Sequence, residues 1–184
     1  MTPKKPTQRV LAESLLQLSQ NIPIKNITVD MIVRNCGLTR RTFYNYYEDK
    51  VMLIEWIFEQ DTHLDEFYTN LNIPLNVLTL QKLEAIRNNN RFYTKIFREE
   101  EYRKSFAKIE KEAFLRRIQQ FRSIDIQIDY TMDFLVNGSL AVVTHWILSG
   151  FREEPDEILR KLTLCITDVV RYDILHDVPP DGTI

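Results

Sequence analysis

The chain of 184 residues has four glycines and seven prolines. A β-sandwich or barrel needs turn residues about every 8–12 positions, and this sequence cannot supply them. Its two cysteines, Cys36 and Cys165, stand alone, which excludes a disulfide framework and a cysteine metal site. Long apolar runs are also missing. The longest strongly apolar stretch, Leu140 to Leu148, falls well short of the roughly 20 residues that span a bilayer. The opening Met-Thr-Pro-Lys-Lys-Pro leads into a mixed polar and apolar run, so no signal peptide is expected. The expectation is a reduced, soluble, cytoplasmic protein with no membrane partner. Catalytic apparatus is scarce as well: there is no phosphate loop, no Ser/His/Asp or Cys/His arrangement, and no carboxylate-and-histidine cluster at metal-binding spacing. The reading is no enzyme, with no catalytic residue, cofactor or metal. His63 and His145 could be ligands for a metal or polar effector, but a lone histidine is more often structural or on the surface, and that reading is preferred.

What is present is ordinary globular chemistry, with 44% hydrophobic and 27% charged residues, in an uneven arrangement. Residues 1–50 carry eight basic and four acidic side chains, so the head is +4 and the remainder is −6, giving the overall −2. A basic head can approach a polyanion while an acidic body stays soluble. Apolar residues recur at helical spacing throughout, and strand-like alternation is essentially absent, so the chain is expected to be all-α.

The first helix is expected over residues 7–20, and Pro23 sits in the loop that follows it. Thr28 caps a second helix, in which Val29, Ile32, Val33 and Cys36 form one apolar stripe. Gly37 supplies a left-handed stop, and Thr39 caps a third helix running to about Tyr47. Asp49 caps a fourth, long helix from Lys50 towards Thr69. Further helices are expected near residues 76–88, 90–98, 100–121, 129–149 and 155–176.

Two short helices joined at a glycine corner make a helix-turn-helix. Phe43 and Tyr47 are i, i+4 partners able to pack on the preceding helix, which turns Arg41 and Asn45 outward. Thr39 and Arg40 stand at the end of this helix that reaches base edges in such docking. Thr28 and Thr39, at helix amino-termini, can receive phosphate oxygens.

The stretch Thr28 to Leu53, with its capping threonine, its Cys36-Gly37-Leu38 corner, its Tyr44-Asn45-Tyr46-Tyr47 run and its Asp49-Lys50-Val51-Met52-Leu53 start to the fourth helix, closely resembles the DNA-binding domain of TetR-family transcriptional regulators. The match covers about residues 8–58. Val33 and Cys36 stand where the family prefers Ala, and Tyr47 replaces the usual Phe. Asp30 occupies a position where some members place a basic or polar contact.

The resemblance implies a helix-turn-helix DNA-binding domain over residues 1–50 and a helical effector-binding and dimerisation domain over residues 51–184. It implies phosphate contacts from Thr28, Tyr44 and Lys50. Groove contacts are implied from Thr39, Arg40, Arg41 and Thr42, with Asn45 and Tyr46 beside them. The implied partners are double-stranded DNA with a palindromic operator, a second copy of the chain, and a small apolar or aromatic effector.

Residues 129–149 are apolar on nearly every face and 155–176 carry two stripes, more than one core can use; the resemblance implies that these last two helices form the homodimer interface, and the alternative is a single large internal core. Candidate interface residues are Leu140, Val143, Thr144, Ile147, Ile158, Leu162, Cys165 and Val169. Candidate effector contacts are Trp56, His63, Phe67, Phe92, Phe97 and Phe114. The Asn89 to Tyr93 run and the Asn137-Gly138 to Trp146 segment resemble the corresponding half of TetR-type activators of dihydroxyacetone kinase operons. Repression is the first expectation. The alternatives are activation, or a protein partner in place of a small effector.

Overall fold

The computed structural model describes residues 6–64, 71–119 and 128–176, with side chains over 6–64, 71–117 and 133–165. Among the described residues there is no strand. The helices are α1 (Thr7–Asn21), α2 (Val29–Asn35), α3 (Arg40–Tyr44), α4 (Lys50–Asp61), α5 (Leu75–Asn88), α6 (Asn90–Phe97), α7 (Glu100–Gln119), α8 (Ile128–Leu148) and α9 (Pro155–His176), with a 3-10 turn at Ile24–Asn26. None of them is long and apolar enough to cross a membrane.

The head is α1, α2 and α3 wrapped on the start of α4. Leu11 and Leu15 of α1, Ile32 of α2, Phe43 of α3, and Leu53 and Ile54 of α4 are all fully buried there. Ser14 Oγ donates to the Ile32 carbonyl at 2.7 Å, and Asn35 Nδ2 donates to Ser14 Oγ and Gln17 Oε1 at 3.1 Å each. These bonds fix α2 on α1.

The body is a helical bundle. α7 packs on α4, α6 and α8, while α9 packs on α5 and α8. One apolar core runs without a break from Leu11 in the head to Trp146 and Leu162 in the body. At its centre Phe58 of α4 stacks on Phe106 of α7 with centroids 4.1 Å apart. The break expected at residue 50 is therefore the first turn of a helix shared by both halves.

α4 is shorter than its apolar pattern suggested. It stops at Asp61, and His63 adopts the left-handed region with φ 50°. Beside this end, Asn89 Nδ2 and Tyr93 Oη of α6 donate to Asp61 Oδ2 at 2.8 and 2.9 Å. Burial pushes the Asp61 carboxyl above its usual range, partly offset by those two donors. Residues 65–70, the rest of the expected helix, lie outside the described residues.

Candidate nucleic-acid interface and ligand cavity

The recognition surface is built from three side-chain caps. Thr28 Oγ1 accepts from the Met31 amide at 3.3 Å and starts α2, and Thr39 Oγ1 accepts from the Thr42 amide at 3.1 Å and starts α3. Asp49 Oδ1 accepts from the Met52 amide at 2.9 Å and starts α4. Between α2 and α3, Gly37 at φ 68° reverses the chain, and the Leu38 amide closes the corner on the Val33 carbonyl at 2.8 Å. Only a residue without Cβ takes that φ cheaply. A capping hydroxyl that accepts a backbone N–H keeps its own proton, so Thr28 and Thr39 can still donate to a phosphate oxygen.

α3 divides as its pattern requires. Phe43 and Tyr47 are buried, with ring centroids 5.7 Å apart. Thr39, Arg40, Arg41, Tyr44, Asn45 and Tyr46 are exposed, and Thr42 is half-buried. Tyr44 and Tyr46 stand 48% and 45% exposed, far from the burial that large aromatics usually reach.

Two of these residues are not poised as the pattern implied. Arg40 is turned back along the protein surface. Its Nη1 meets Asp30 Oδ1 at 3.3 Å, its Nη2 donates to Tyr44 Oη at 3.3 Å, and its guanidinium lies 5.8 Å from the Tyr44 ring centroid. Lys50 is half-buried, and its Nζ donates to the carbonyls of Ile24 and Ile27 at 2.6 and 2.9 Å. The ammonium thus closes the 3-10 turn between α1 and α2, and burial lowers its pKa.

The hydroxyl of Tyr47 must find a partner or reach solvent to avoid a cost. It does neither. The atom is buried without a well-formed hydrogen bond, with Gln8 as the neighbouring polar side chain, and burial pushes the phenol up to about 12.

In the body, a cavity of about 380 Å³ lies among α4, α5, α6, α7, α8 and α9. Phe97 and Phe114 line it as expected, together with Phe58, Leu83, Val143 and Leu162. Three expected residues do not line it. Trp56 packs on Tyr47 of the head at 6.4 Å between centroids, His63 is exposed, and Phe92 is buried against Tyr93 at 5.3 Å. Each follows the face its helix presents, which aromatic density along the sequence cannot reveal. Phe67 lies outside the described residues.

Residues 76–168, just over half of the chain, match the family model of the TetR transcriptional regulator C-terminal region. The chain belongs to the TetR family of transcriptional regulators. It is 33% identical over 96 residues to the HTH-type dhaKLM operon transcriptional activator DhaS of Lactococcus lactis subsp. lactis strain IL1403, a match covering 50% of this chain and 49% of that protein. The chain thus spans about half the length of that curated relative. Among solved structures, the dihydroxyacetone kinase operon activator DhaS superposes with a TM-score of 0.64 at 21% identity, covering 90% of this chain and 96% of that one. A TetR transcriptional regulator from Streptococcus agalactiae 2603V gives 0.62 at 18% identity, covering 87% and 93%. Thermus thermophilus FadR, a TetR-family repressor in complex with lauroyl-CoA, gives 0.61 at 13% identity, covering 96% and 100%. At these identities the superpositions show the fold.

In this TetR-family chain the residues expected at a dimer interface fall into two groups. Val143, Ile147, Ile158 and Leu162 are buried in the chain's own core, because α8 turns them towards α6 and α7, and α9 turns them towards α5 and α8. Leu140 and Thr144 are half-buried, Cys165 is exposed, and the Val169 side chain lies outside the described residues. The apolar face left uncovered is a different one. Phe134 is 63% exposed, Leu148 45% and Leu164 59%, with Gly138 and Ala141 exposed between the first two. A Cβ placed on Gly138 would meet nothing within 4 Å.

Other contacts carry no local sequence signal. Lys95 of α6 donates to the carbonyls of Ser19 and Gln20 at the end of α1, and Ser105 of α7 hydrogen-bonds Glu55 of α4. The first joins head to body and the second ties α7 to the shared helix α4, each across at least 50 residues of sequence.

Proposed function

We propose that this TetR-family regulator acts in the cytoplasm as a sequence-specific DNA-binding homodimer on an inverted-repeat operator, and that a small, mainly apolar effector in the α5–α9 cavity alters its DNA affinity. The observation that carries the DNA reading is the division of α3. Phe43 and Tyr47 anchor one face, while Arg40, Arg41, Tyr44, Asn45 and Tyr46 stand exposed on the others beside two capped helix starts. A duplex would complete this surface. Arg41, Thr42 and Asn45 face the groove in this reading, while Thr28, Thr39, Tyr44 and Lys50 meet phosphates. Arg40 joins the groove contacts once it leaves Asp30. Residues 1–50 form the reading unit and 51–184 the regulatory unit, coupled through α4.

One such head covers only a few base pairs. Two heads set about 34–36 Å apart on one face of the duplex multiply both affinity and selectivity. The exposed face of Phe134, Gly138, Ala141 and Leu148 on α8, with Leu164 and Cys165 also exposed on α9, suits a two-fold partner. A small-residue stretch between larger apolar side chains lets two helices approach closely.

Selection of bound sequences from a random duplex library tests the reading. An inverted repeat with half-sites about one helical turn apart is the expected outcome, and recovery of no consensus overturns it. Repression relieved by an effector is one sign of regulation. Activation is the second reading, supported by the relative named as the dhaKLM operon activator. Transcription from a template bearing the recovered operator, with and without the protein, separates the two.

A further inference from the structure

Among the described residues, the cavity wall holds one ion pair and otherwise apolar or neutral side chains. Lys82 Nζ of α5 and Glu110 Oε1 of α7 are 2.6 Å apart, with side chains 17% and 11% exposed. Two of the neutral hydroxyls are already committed along their own helices: Thr79 donates to the Leu75 carbonyl at 2.8 Å and Thr163 to the Leu159 carbonyl at 2.9 Å. The described wall is thus apolar with one charged spot, where two opposite charges face each other. At the ~30 Å³ that a water molecule occupies in the liquid, the 380 Å³ space corresponds to about a dozen heavy atoms.

Resting on the reading of this cavity as the effector site, we propose that it selects an uncharged, mainly apolar molecule bearing one hydroxyl or carbonyl, and discriminates against carboxylates and amines of the same length. The reason is the closed pair. A ligand carboxylate brought to the Lys82 ammonium is also set beside the Glu110 carboxylate, so it either meets that like charge or opens the pair and leaves Glu110 in an apolar wall. A ligand ammonium brought to Glu110 meets the Lys82 ammonium in the same way. A hydroxyl does neither, since it can accept from the ammonium and donate to the carboxylate while the two stay joined. A carbonyl can accept from Lys82 alone, again without opening the pair.

The test uses the full-length protein with 1-decanol, decanoate and decylamine, all kept below their solubility limits, followed by thermal shift and calorimetric titration. Decanol should raise the unfolding midpoint with concentration. Decanoate and decylamine should bind roughly a hundredfold more weakly or not at all. Glu110→Gln leaves Lys82 charged and should gain decanoate affinity by roughly a hundredfold, and the mirror variant Lys82→Gln should gain decylamine by a similar factor. These gains also locate the probe at the pair. The wild-type comparison decides the matter even if neither variant folds. Decanoate or decylamine binding as tightly as decanol overturns the charge argument and leaves the effector-site reading standing. A response to none of the three overturns both.

Discussion

Replacing Lys50 by alanine should damage two separable properties, because the same ammonium faces the protein and, in the proposed complex, a phosphate. In the free protein it donates to the Ile24 and Ile27 carbonyls at 2.6 and 2.9 Å. Hydrogen bonds to a charged group contribute about 1.5–3 kcal/mol each when well buried. Here the side chain is half-buried and water can reach the turn once it is gone, so about 2 kcal/mol for both together is the reasonable sum. For a chain of this size each kcal/mol moves the midpoint by about 2–4 °C, which predicts a fall of about 4–8 °C at fixed protein concentration. On DNA, removing one phosphate-neutralising charge per protomer should weaken specific and random duplexes alike. It should also reduce the slope of log K against log salt by about 0.9 for each phosphate no longer neutralised. Calorimetry of the free protein and a salt titration of duplex binding read the two effects independently. An unchanged midpoint refutes the account of the 3-10 turn, and an unchanged salt slope refutes the phosphate contact.

Arg41, exposed at the start of α3, should behave differently: Arg41→Ala is expected to narrow the gap between operator and random duplex by about 1–3 kcal/mol in competition gel shifts, and an unchanged gap removes it from the readout. Tyr47→Phe removes a buried hydroxyl that lacks a good partner and should raise stability by about 1 kcal/mol in urea unfolding, whereas a loss of stability would mean the hydroxyl is satisfied. Burial pushes both Tyr47 and Tyr102 up to about 12 in the folded chain, against about 10 when unfolded, so stability present below pH 10 should decline between about pH 10 and pH 12. The decline should be shallower in Tyr47→Phe, and a parallel decline refutes the assignment. Leu164→Glu, on an already exposed side chain, should leave the monomer folded and shift sedimentation from dimer to monomer. Persistence of the dimer would move the interface elsewhere.

Much of the head was readable in advance because its signals are local. Thr28, Thr39 and Asp49 each cap the helix they precede, and the bond joins residues three apart. Gly37 marks the corner by its own backbone freedom, and Phe43 with Tyr47 declares the buried side of α3 by spacing alone. The family membership followed from the same run of residues. Asp30 was read as an unhelpful charge, but its pairing with Arg40 across ten positions was not.

The body was readable as helices and not as faces. A segment such as Tyr130 to Leu148 is apolar all round, so its periodicity cannot say which side meets its own chain and which is left over. Packing on α6 and α7 made that choice, burying Ile147 and exposing Phe134. The partners of Lys50, Lys95 and Lys82 lie 23 to 76 residues away, and a long cation carries no mark of the carbonyl or carboxylate it will find. The sequence by itself determined the all-helical class, the caps and the exposed edge of α3, since each depends on residues within one or two turns. Only the tertiary structure decided the uncovered face of α8, the closed ion pair on the cavity wall and the seating of Lys50 on the Ile24 and Ile27 carbonyls, because burial and pairing between distant segments are properties of the folded arrangement.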